Sequence, residues 1–176
     1  MQPSPTPQPL PDLAVSVVLH FSPLEQLQAL LDSLSNAAVE AELSRVEVIC
    51  VDHSCDADYV ASCQAFIEAY VDEAAGDNGL QLSLLKPDAN RGYGAGHNLA
   101  MSQIESPFHL ILNPDVELAP DAVKLALATV KRCIADGRHG FPHVRVGHRQ
   151  ASKKENPDRE SDRGFFLCYR LLSAAS

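Results

Sequence analysis

The chain has 176 residues, of which 45% are hydrophobic and 21% are charged. This length and composition predict one globular domain with a sizeable core, and they exclude a chain that is disordered throughout. The formal net charge of -9 argues against non-specific nucleic-acid binding, because such binding needs a basic surface that releases counterions.

The charge is unevenly distributed along the chain. Residues 1–137 carry 6 Lys and Arg against 19 Asp and Glu, whereas residues 138–176 carry 8 against 4. No run approaches the roughly 20 apolar residues that span a bilayer. The five cysteines lack the spacing of a disulfide framework. We therefore expect a cytoplasmic protein with reduced thiols and no transmembrane segment.

The chain begins with proline at every second position from Pro3 to Pro11, which predicts a disordered leader over residues 1–12. Four strand–helix units follow. The predicted strands cover residues 14–20, 46–51, 80–86 and 108–112. The first predicted helix follows Ser22, which is expected to cap it in a capping box. The second follows Asp52, the third begins at Leu99 after the glycine-rich segment, and the fourth begins at Pro120. Such a series predicts an α/β fold with a doubly wound, mostly parallel sheet.

Carboxylates follow two of the predicted strands. In an open parallel sheet, ligands bind at the carboxyl ends of the strands, where Asp52 and Asp115 are expected to lie. Asp115, with the Asn113 amide and Glu117 nearby, suits a hard divalent cation that keeps waters and shares phosphates. Asp52 can accept hydrogen bonds from a nucleobase. The alternative is that each carboxylate only caps the helix after it.

A glycine-rich segment, NRGYGAGHN at residues 90–98, lies between the third strand and the third helix. Its alternating glycines and the helix start behind them predict phosphate binding, with Arg91 available to pair with a phosphate. The alternative is a turn that serves only helix–sheet packing. A Walker loop is excluded because no Gly-Lys-Ser/Thr ends the segment, and a dinucleotide fingerprint is disfavoured because the glycines follow the third strand.

With these residues assembled, the chain resembles the family 2 glycosyltransferases of the GT-A fold, most of all their rhamnosyltransferase-like members, over about residues 14–137. The resemblance rests on four strings: VSVVLHF in the first strand, VICVDHS in the second, NRGYGAGHN in the loop and LILNPDVEL at the position of the family's D-x-D motif. The family usually has Asn where this chain has His53.

The resemblance implies inverting transfer of a sugar, with rhamnose as the expectation, from a dTDP- or UDP-sugar to a polysaccharide or lipid-linked acceptor. It implies Asp115 as the ligand of Mg²⁺ or Mn²⁺, and Asp52 as a contact of the nucleotide base. The residues that it implies for nucleotide-sugar binding are His20, Phe21, Asp52, Asn90, Arg91, Gly92, Gly94, Asn98 and Asn113. The reaction is expected in the cytoplasm, with peripheral contact at the inner face of the membrane.

The resemblance stops near residue 137. Residues 13–137 are therefore predicted to form the nucleotide-sugar-binding domain, and residues 138–176 a basic, irregular tail. We expect that this tail reflects a truncated gene or a shifted reading frame; the alternative is a native basic tail that touches anionic lipid. The family's general base lies in the part expected to be missing, so no catalytic residue is assigned.

Two other functions remain open from the sequence. One is a catalytically incomplete module that binds a nucleotide sugar or a partner without turnover. The other is a nucleotidyltransferase, which is disfavoured because residues 22–25 after the first strand contain neither a glycine nor a basic residue.

Overall fold

The computed structural model describes residues 10–73, 79–137 and 166–169. Strands and helices alternate through the first four units, and a short strand comes last. The strands are β1 Leu13–Leu19, β2 Val46–Asp52, β3 Leu80–Leu85, β4 Phe108–Leu112 and β5 Phe166–Tyr169, and the helices are α1 Leu24–Glu40, α2 Ala57–Glu73, α3 Tyr93–Met101 and α4 Ala122–Ala135.

These strands form one sheet in the order β3-β2-β1-β4-β5. β1 is central and pairs in parallel with both β2 and β4, and β3 pairs in parallel with β2. β5 runs antiparallel beside β4. The predicted α/β fold with a doubly wound, mostly parallel sheet is confirmed.

Both faces of β1 are covered, as its apolar sequence predicts. All seven of its residues are buried. Val15 and Val17 face the larger core, to which α1, α2 and α4 contribute, whereas Ala14 and Val18 face the smaller core beneath α3. In α1, four leucines spaced along one face, Leu27, Leu30, Leu31 and Leu34, are fully buried. Burial of each such side chain stabilises the fold by roughly 2 kcal/mol.

The start of α1 differs from the predicted capping box. Pro23 stands at the N-cap position, and the Ser22 hydroxyl accepts a long hydrogen bond from the backbone N–H of His20 at 3.5 Å. The reason lies one residue earlier, because Phe21 has a left-handed backbone with φ 53°. This turn directs the Ser22 side chain back towards the strand, so the prediction that Ser22 caps α1 is wrong.

α3 begins at Tyr93, which is six residues before its predicted start at Leu99. Most of the predicted loop is therefore the first part of the helix. Glycine disfavours helix by about 1 kcal/mol per residue, which is why the local sequence indicated a loop. The close approach of α3 to the sheet compensates: a Cβ at Gly96 would lie 2.6 Å from Val18 Cγ2.

The ends of the domain also extend beyond the predicted boundaries. Of the predicted leader, residues 1–9 lie outside the described residues, but Asp12 is already attached, since its Oδ2 accepts hydrogen bonds from the N–H groups of Ser44 and Arg45. Of residues 138–176, only 166–169 are described, and they form β5, a strand that the sequence analysis did not predict. Among the helices of the described residues, none is long and apolar enough to cross a membrane.

Candidate functional site

The carboxyl ends of β1, β2 and β4 meet at one edge of the sheet. Leu19, at the end of β1, is in register with Asp52, at the end of β2. From β1 the chain proceeds outward to β2 and β3, and then returns to the other side of β1 with β4. The crevice beside β1 at this reversal is where doubly wound sheets bind their ligands.

Asp52 is buried at this edge, with 2% of its surface exposed. Its Oδ1 accepts a hydrogen bond from the backbone N–H of Ser54 at 3.0 Å, and its Oδ2 accepts one from the Ser54 hydroxyl at 2.9 Å. It is Asp56, not Asp52, that caps α2, because Asp56 Oδ1 accepts the backbone N–H of Tyr59 at 2.8 Å. A carboxylate has about four acceptor sites, so Asp52 is fixed in orientation and still able to accept from a ligand.

Aromatic rings line the edge next to Asp52. Phe21 is 55% exposed, and its ring centroid lies 5.2 Å from that of His20 and 5.3 Å from that of Tyr59. His20 is itself oriented, because its Nδ1–H donates to the backbone carbonyl of His53 at 3.1 Å. Burial, followed by the neighbouring Cys63, raises the pKa of Tyr59 above its ordinary value, and its hydroxyl donates to the Ser22 carbonyl. Phe21 thus packs against His20 and Tyr59 while more than half of its surface stays exposed.

The glycines of the glycine-rich segment differ in their surroundings. Asn90 Oδ1 accepts the backbone N–H of Gly92 at 2.8 Å, and Gly92 takes φ 90°, which favours glycine. A Cβ at Gly92 or Gly94 would meet no atom of the described part of the chain within 4 Å. Gly96, in contrast, is needed for packing on Val18 and His53. The segment therefore packs at Gly96 and leaves open space at Gly92 and Gly94.

Arg91 and Asn98 are both exposed, Arg91 in the loop before α3 and Asn98 within that helix. The N-cap residue of α3 is Gly92, which forms no side-chain capping hydrogen bond. The backbone N–H groups at a helix start have no partner within the helix and favour an anion.

Asn113 and Asp115 lie in the turn after β4, and both are half-buried. The turn is anchored by Val116 and Leu118, which are buried in the larger core. Across the edge, the Tyr93 hydroxyl donates to Asn113 Oδ1 at 2.6 Å. Burial and then the Asp115 carboxylate raise the pKa of Tyr93 above its ordinary value. The helix after this turn has Asp121 rather than Asp115 at its N-cap position, so Asp115 does not cap α4.

Tyr93 was not among the predicted site residues, although it stands inside the glycine-rich string that carries the resemblance. Its contact with Asn113 joins residues 20 positions apart, and no local periodicity indicates such a pair. A tyrosine between two glycines of the predicted phosphate-binding segment was the available signal.

Three buried histidines that were not predicted as a group lie between α3 and the sheet: His97 on α3, His53 after β2 and His109 in β4. The Ser16 hydroxyl bridges His97 Nδ1 at 2.7 Å and His109 Nε2 at 2.8 Å. Burial lowers the pKa of both rings to about 4, with smaller contributions from His53 on His97 and from His97 on His109. Among the described residues, the buried His53 Nδ1 and His97 Nε2 have no hydrogen-bond partner. The signal for this group was Ser16, a polar residue in an apolar strand.

The candidate metal site has few protein ligands. Within residues 10–73 and 79–137, no group of three or more His, Cys, Asp or Glu side chains is arranged to hold a metal ion. Mg²⁺ and Mn²⁺ sites that share the ion with a diphosphate need only one or two protein ligands, since water and phosphate oxygens complete the shell. The half-buried Asn113 and Asp115 supply hard oxygen ligands at the edge, so the residues present fit such an ion.

The sequence matches a model of the family described as Glycosyl transferase family 2 over residues 16–172. This match extends past residue 137, where the resemblance found by sequence analysis ended, and it includes β5. The search of curated proteins found no matching sequence.

Solved structures share the fold. S. aureus TarS 1-349 matches with a TM-score of 0.53 and 24% identity, over 69% of this chain and 32% of that chain. A second structure of S. aureus TarS matches with a TM-score of 0.57 and 20% identity, over 84% of this chain and 23% of that one. The mannosyltransferase PcManGT from Pyrobaculum calidifontis, in complex with GDP-Man and Mn²⁺, matches with a TM-score of 0.52 and 21% identity. The match covers 81% of this chain and 38% of that one.

The chain thus spans between 23% and 38% of the length of these solved structures. Its described core has the parallel strand–helix units of the GT-A fold, with the glycine-rich helix start and the Asn-Pro-Asp turn at the carboxyl edge. Since the family model covers most of the sequence, we conclude that this chain belongs to glycosyl transferase family 2 and has a GT-A fold.

Proposed function

We propose that this chain binds a nucleoside-diphosphate sugar across the carboxyl edge of its sheet and serves in transferring that sugar to an acceptor. The observation that supports this most is the position of the first turn of α3. Gly96 lies against His53, next to Asp52, and Tyr93 bonds to Asn113, so the open space at Gly92 and Gly94 lies between the two ends of the edge.

The base of the nucleotide is assigned to the end formed by Asp52 and Phe21. Asp52 is oriented by Ser54 and can accept an N–H group from a base edge. The exposed ring of Phe21 offers a flat apolar surface on which a base can stack, and the backbone at His20 and Phe21 frames the same position.

The diphosphate is assigned to the first turn of α3. Backbone N–H groups at a helix start and the positive end of the helix dipole favour an anion. Gly92 and Gly94 let the phosphates approach the backbone, since no Cβ intervenes, and Asn90 holds Gly92 in place. Arg91 and Asn98, both exposed, are assigned to the same ligand.

A divalent cation is assigned to Asp115, with Asn113 beside it. When bound, Mg²⁺ or Mn²⁺ would neutralise the negative charge that develops on the leaving diphosphate. Complexes of similar proteins support this proposal: the P. calidifontis mannosyltransferase was solved with GDP-Man and Mn²⁺, and S. aureus TarS 1-349 with UDP-GlcNAc. The protein's own part is to orient Asp115 and Asn113 at the end of β4.

We expect dTDP or UDP as the nucleotide and rhamnose as the sugar, which is transferred with inversion. The expected acceptor is a glycan or a lipid-linked molecule at the inner face of the membrane. These follow from the resemblance of the sequence strings. The reaction is placed in the cytoplasm, where such donors are available. An acceptor hydroxyl also requires a general base within hydrogen-bond reach, and we assign none.

A second candidate function is nucleotide-sugar binding without turnover. It is favoured by Asp52 and Asp56, the two carboxylates near the base end, because each already has a structural hydrogen bond. Asp52 accepts one from Ser54, and Asp56 accepts one at the start of α2. Neither is assigned as the general base that turnover requires. Consumption of donor in the presence of acceptor separates the two functions.

Calorimetric titration of the full chain with UDP, dTDP and GDP, each with and without Mn²⁺, tests the proposal. We expect one nucleotide to bind, and to bind at least 10-fold more tightly with Mn²⁺, because Asp115 would hold a cation that neutralises the charge of the diphosphate. A folded chain that binds none of the three nucleotides would contradict the proposed function.

A further inference from the structure

Tyr93 joins two elements of the candidate site that are separate in sequence. It is the first residue of α3, and Asn113 directly follows β4. The distance of 2.6 Å between the Tyr93 hydroxyl and Asn113 Oδ1 is short for a hydrogen bond between two neutral groups. The contact ties the proposed diphosphate end of the site to the turn that carries the proposed metal ligands.

The ring of Tyr93 packs against a buried side chain of the same helix. It meets the ring of His97 edge to face, with the centroids 4.3 Å apart. His97 is 2% exposed and is fixed by its hydrogen bond to Ser16 in β1, which also bonds His109 in β4. Because α3, β1 and β4 are joined by this buried group, the position of Tyr93 is set by the sheet and not by the surface loop.

The hydroxyl of Tyr93 acts as a donor at neutral pH. Asn113 Oδ1 can only accept a hydrogen bond, so the Tyr93 hydroxyl is the donor in this contact. A carboxamide oxygen has two lone pairs, so Asn113 Oδ1 can accept from Tyr93 and still offer its second lone pair to a cation. An Asn113 side chain without this bond would be free to rotate about its side-chain torsions and to present its NH₂ group instead.

We propose that Tyr93 is a positioning residue for the metal end of the site, where its hydroxyl holds the Asn113 carboxamide and the turn bearing Asp115 against the first turn of α3. This inference rests on the function proposed above, because the turn is assigned there to the cation. In this role the Tyr93 hydroxyl contacts Asn113, a residue assigned to the cation, and not the substrate.

The variant that tests this inference is Tyr93→Phe, which keeps the ring on His97 and removes only the hydroxyl. The matched control is Tyr70→Phe, which removes a tyrosine hydroxyl that donates to Asp32 Oδ1 on α1 at 3.2 Å. The full-length chain is titrated with the nucleotide that the parent binds, with and without Mn²⁺. The quantity compared is the ratio of the dissociation constants without and with the metal.

We expect Tyr93→Phe to reduce this ratio about 5- to 10-fold, the effect of losing one good hydrogen bond, and to change the metal-free dissociation constant less than about twofold. Tyr70→Phe should change neither. A ratio that Tyr93→Phe leaves unchanged overturns the inference. So does an equal loss of affinity with and without Mn²⁺, because this indicates a general structural effect.

A second measurement tests the contact between Tyr93 and Asn113 without a nucleotide. The unfolding equilibria of Tyr93→Phe, Asn113→Ala and the double variant form a double-mutant cycle. We expect a coupling of about 3- to 10-fold in the unfolding constant, because the two residues share one hydrogen bond. If the parent binds no nucleotide, the proposed function fails, and with it the positioning of a cation, whereas the cycle still decides the contact: coupling upholds the bond between Tyr93 and Asn113, and additivity overturns it.

Discussion

Asp52 and Asp115 are the same residue type at the ends of two strands that flank β1, yet their surroundings suit different ligands. Asp52 is buried and both of its oxygens accept hydrogen bonds from Ser54, which fixes the direction of its remaining acceptor sites. Asp115 is half-buried in the turn after β4, so part of its surface faces the solvent. A fixed acceptor suits a base edge, and an accessible carboxylate suits a metal ion.

Asp115→Ala should remove the metal-dependent part of nucleotide binding. We expect a loss of at least 10-fold in affinity in the presence of Mn²⁺, and a decrease of less than about 1 kcal/mol in the free energy of unfolding, because a partly exposed carboxylate contributes little packing. Calorimetry and urea unfolding measure the two quantities. The control is Asp121→Ala, an exposed carboxylate at the start of α4; equal behaviour of the two variants would refute the metal assignment.

Within α3, one glycine is needed for packing and another lies next to open space. Its glycines differ in what surrounds them: Gly96 is buried against Val18 and His53, whereas Gly94 is exposed. Local sequence alone favours a loop here, and helix–sheet packing makes it a helix. The same methyl group, added at these two positions, should therefore have opposite effects on stability.

Gly96→Ala should destabilise the fold by about 1–3 kcal/mol, because the new methyl overlaps Val18. Gly94→Ala should leave the fold unchanged or stabilise it by up to about 1 kcal/mol, since alanine favours helix, and should weaken nucleotide binding because the methyl enters the open space. Urea unfolding and calorimetry compare the pair. Equal destabilisation by both substitutions would contradict the packing difference.

The start of α2 provides a separate prediction about capping. Asp56→Ala removes the acceptor of the Tyr59 N–H, so it should lower the free energy of unfolding by about 1 kcal/mol. Asp58→Ala is the matched control: it removes the same charge from an exposed position in the first turn, where the helix dipole contributes only about 0.3–1 kcal/mol. If the control destabilises the fold more than the cap variant does, the capping role of Asp56 is wrong.

At the scale of the whole molecule, the buried group of Ser16, His97 and His109 makes stability depend on pH. Both histidines have a pKa of about 4 in the fold, below the ordinary value of 6.5, so the unfolded chain binds protons first as pH falls. Their contribution is complete above pH 6.5 and is lost progressively between about 6.5 and 4.

We expect the free energy of unfolding to fall by roughly 1–3 kcal/mol for each of these histidines across that window. Urea unfolding at pH 7.5, 6 and 5 measures the decline. His109→Gln should flatten it by removing one titrating ring. A parent chain whose stability is constant from pH 7.5 to 5 would show that the rings are not held neutral.

The order of the elements could be predicted from the sequence, because hydrophobic periodicity is local. The apolar runs of β1, β2 and β4 and the leucine face of α1 required no knowledge of the fold. The parallel arrangement then follows from four consecutive strand–helix units, and it brings the strand ends that carry Asp52 and Asn113 to one edge. The four strings that carry the family resemblance are likewise contiguous in the sequence, and residues 16–172 match the family model.

The tertiary structure alone decided the start of α3, the bond between Tyr93 and Asn113, the histidine group around Ser16, and the pairing of β5 with β4. Each of these depends on atoms from segments far apart in the chain. A glycine permits close packing only if a partner such as Val18 is there, and a buried histidine stays neutral only if the sheet surrounds it. Local propensity contains neither condition. The elements and the sheet edge therefore follow from local sequence, whereas packing sets which side chains meet at that edge.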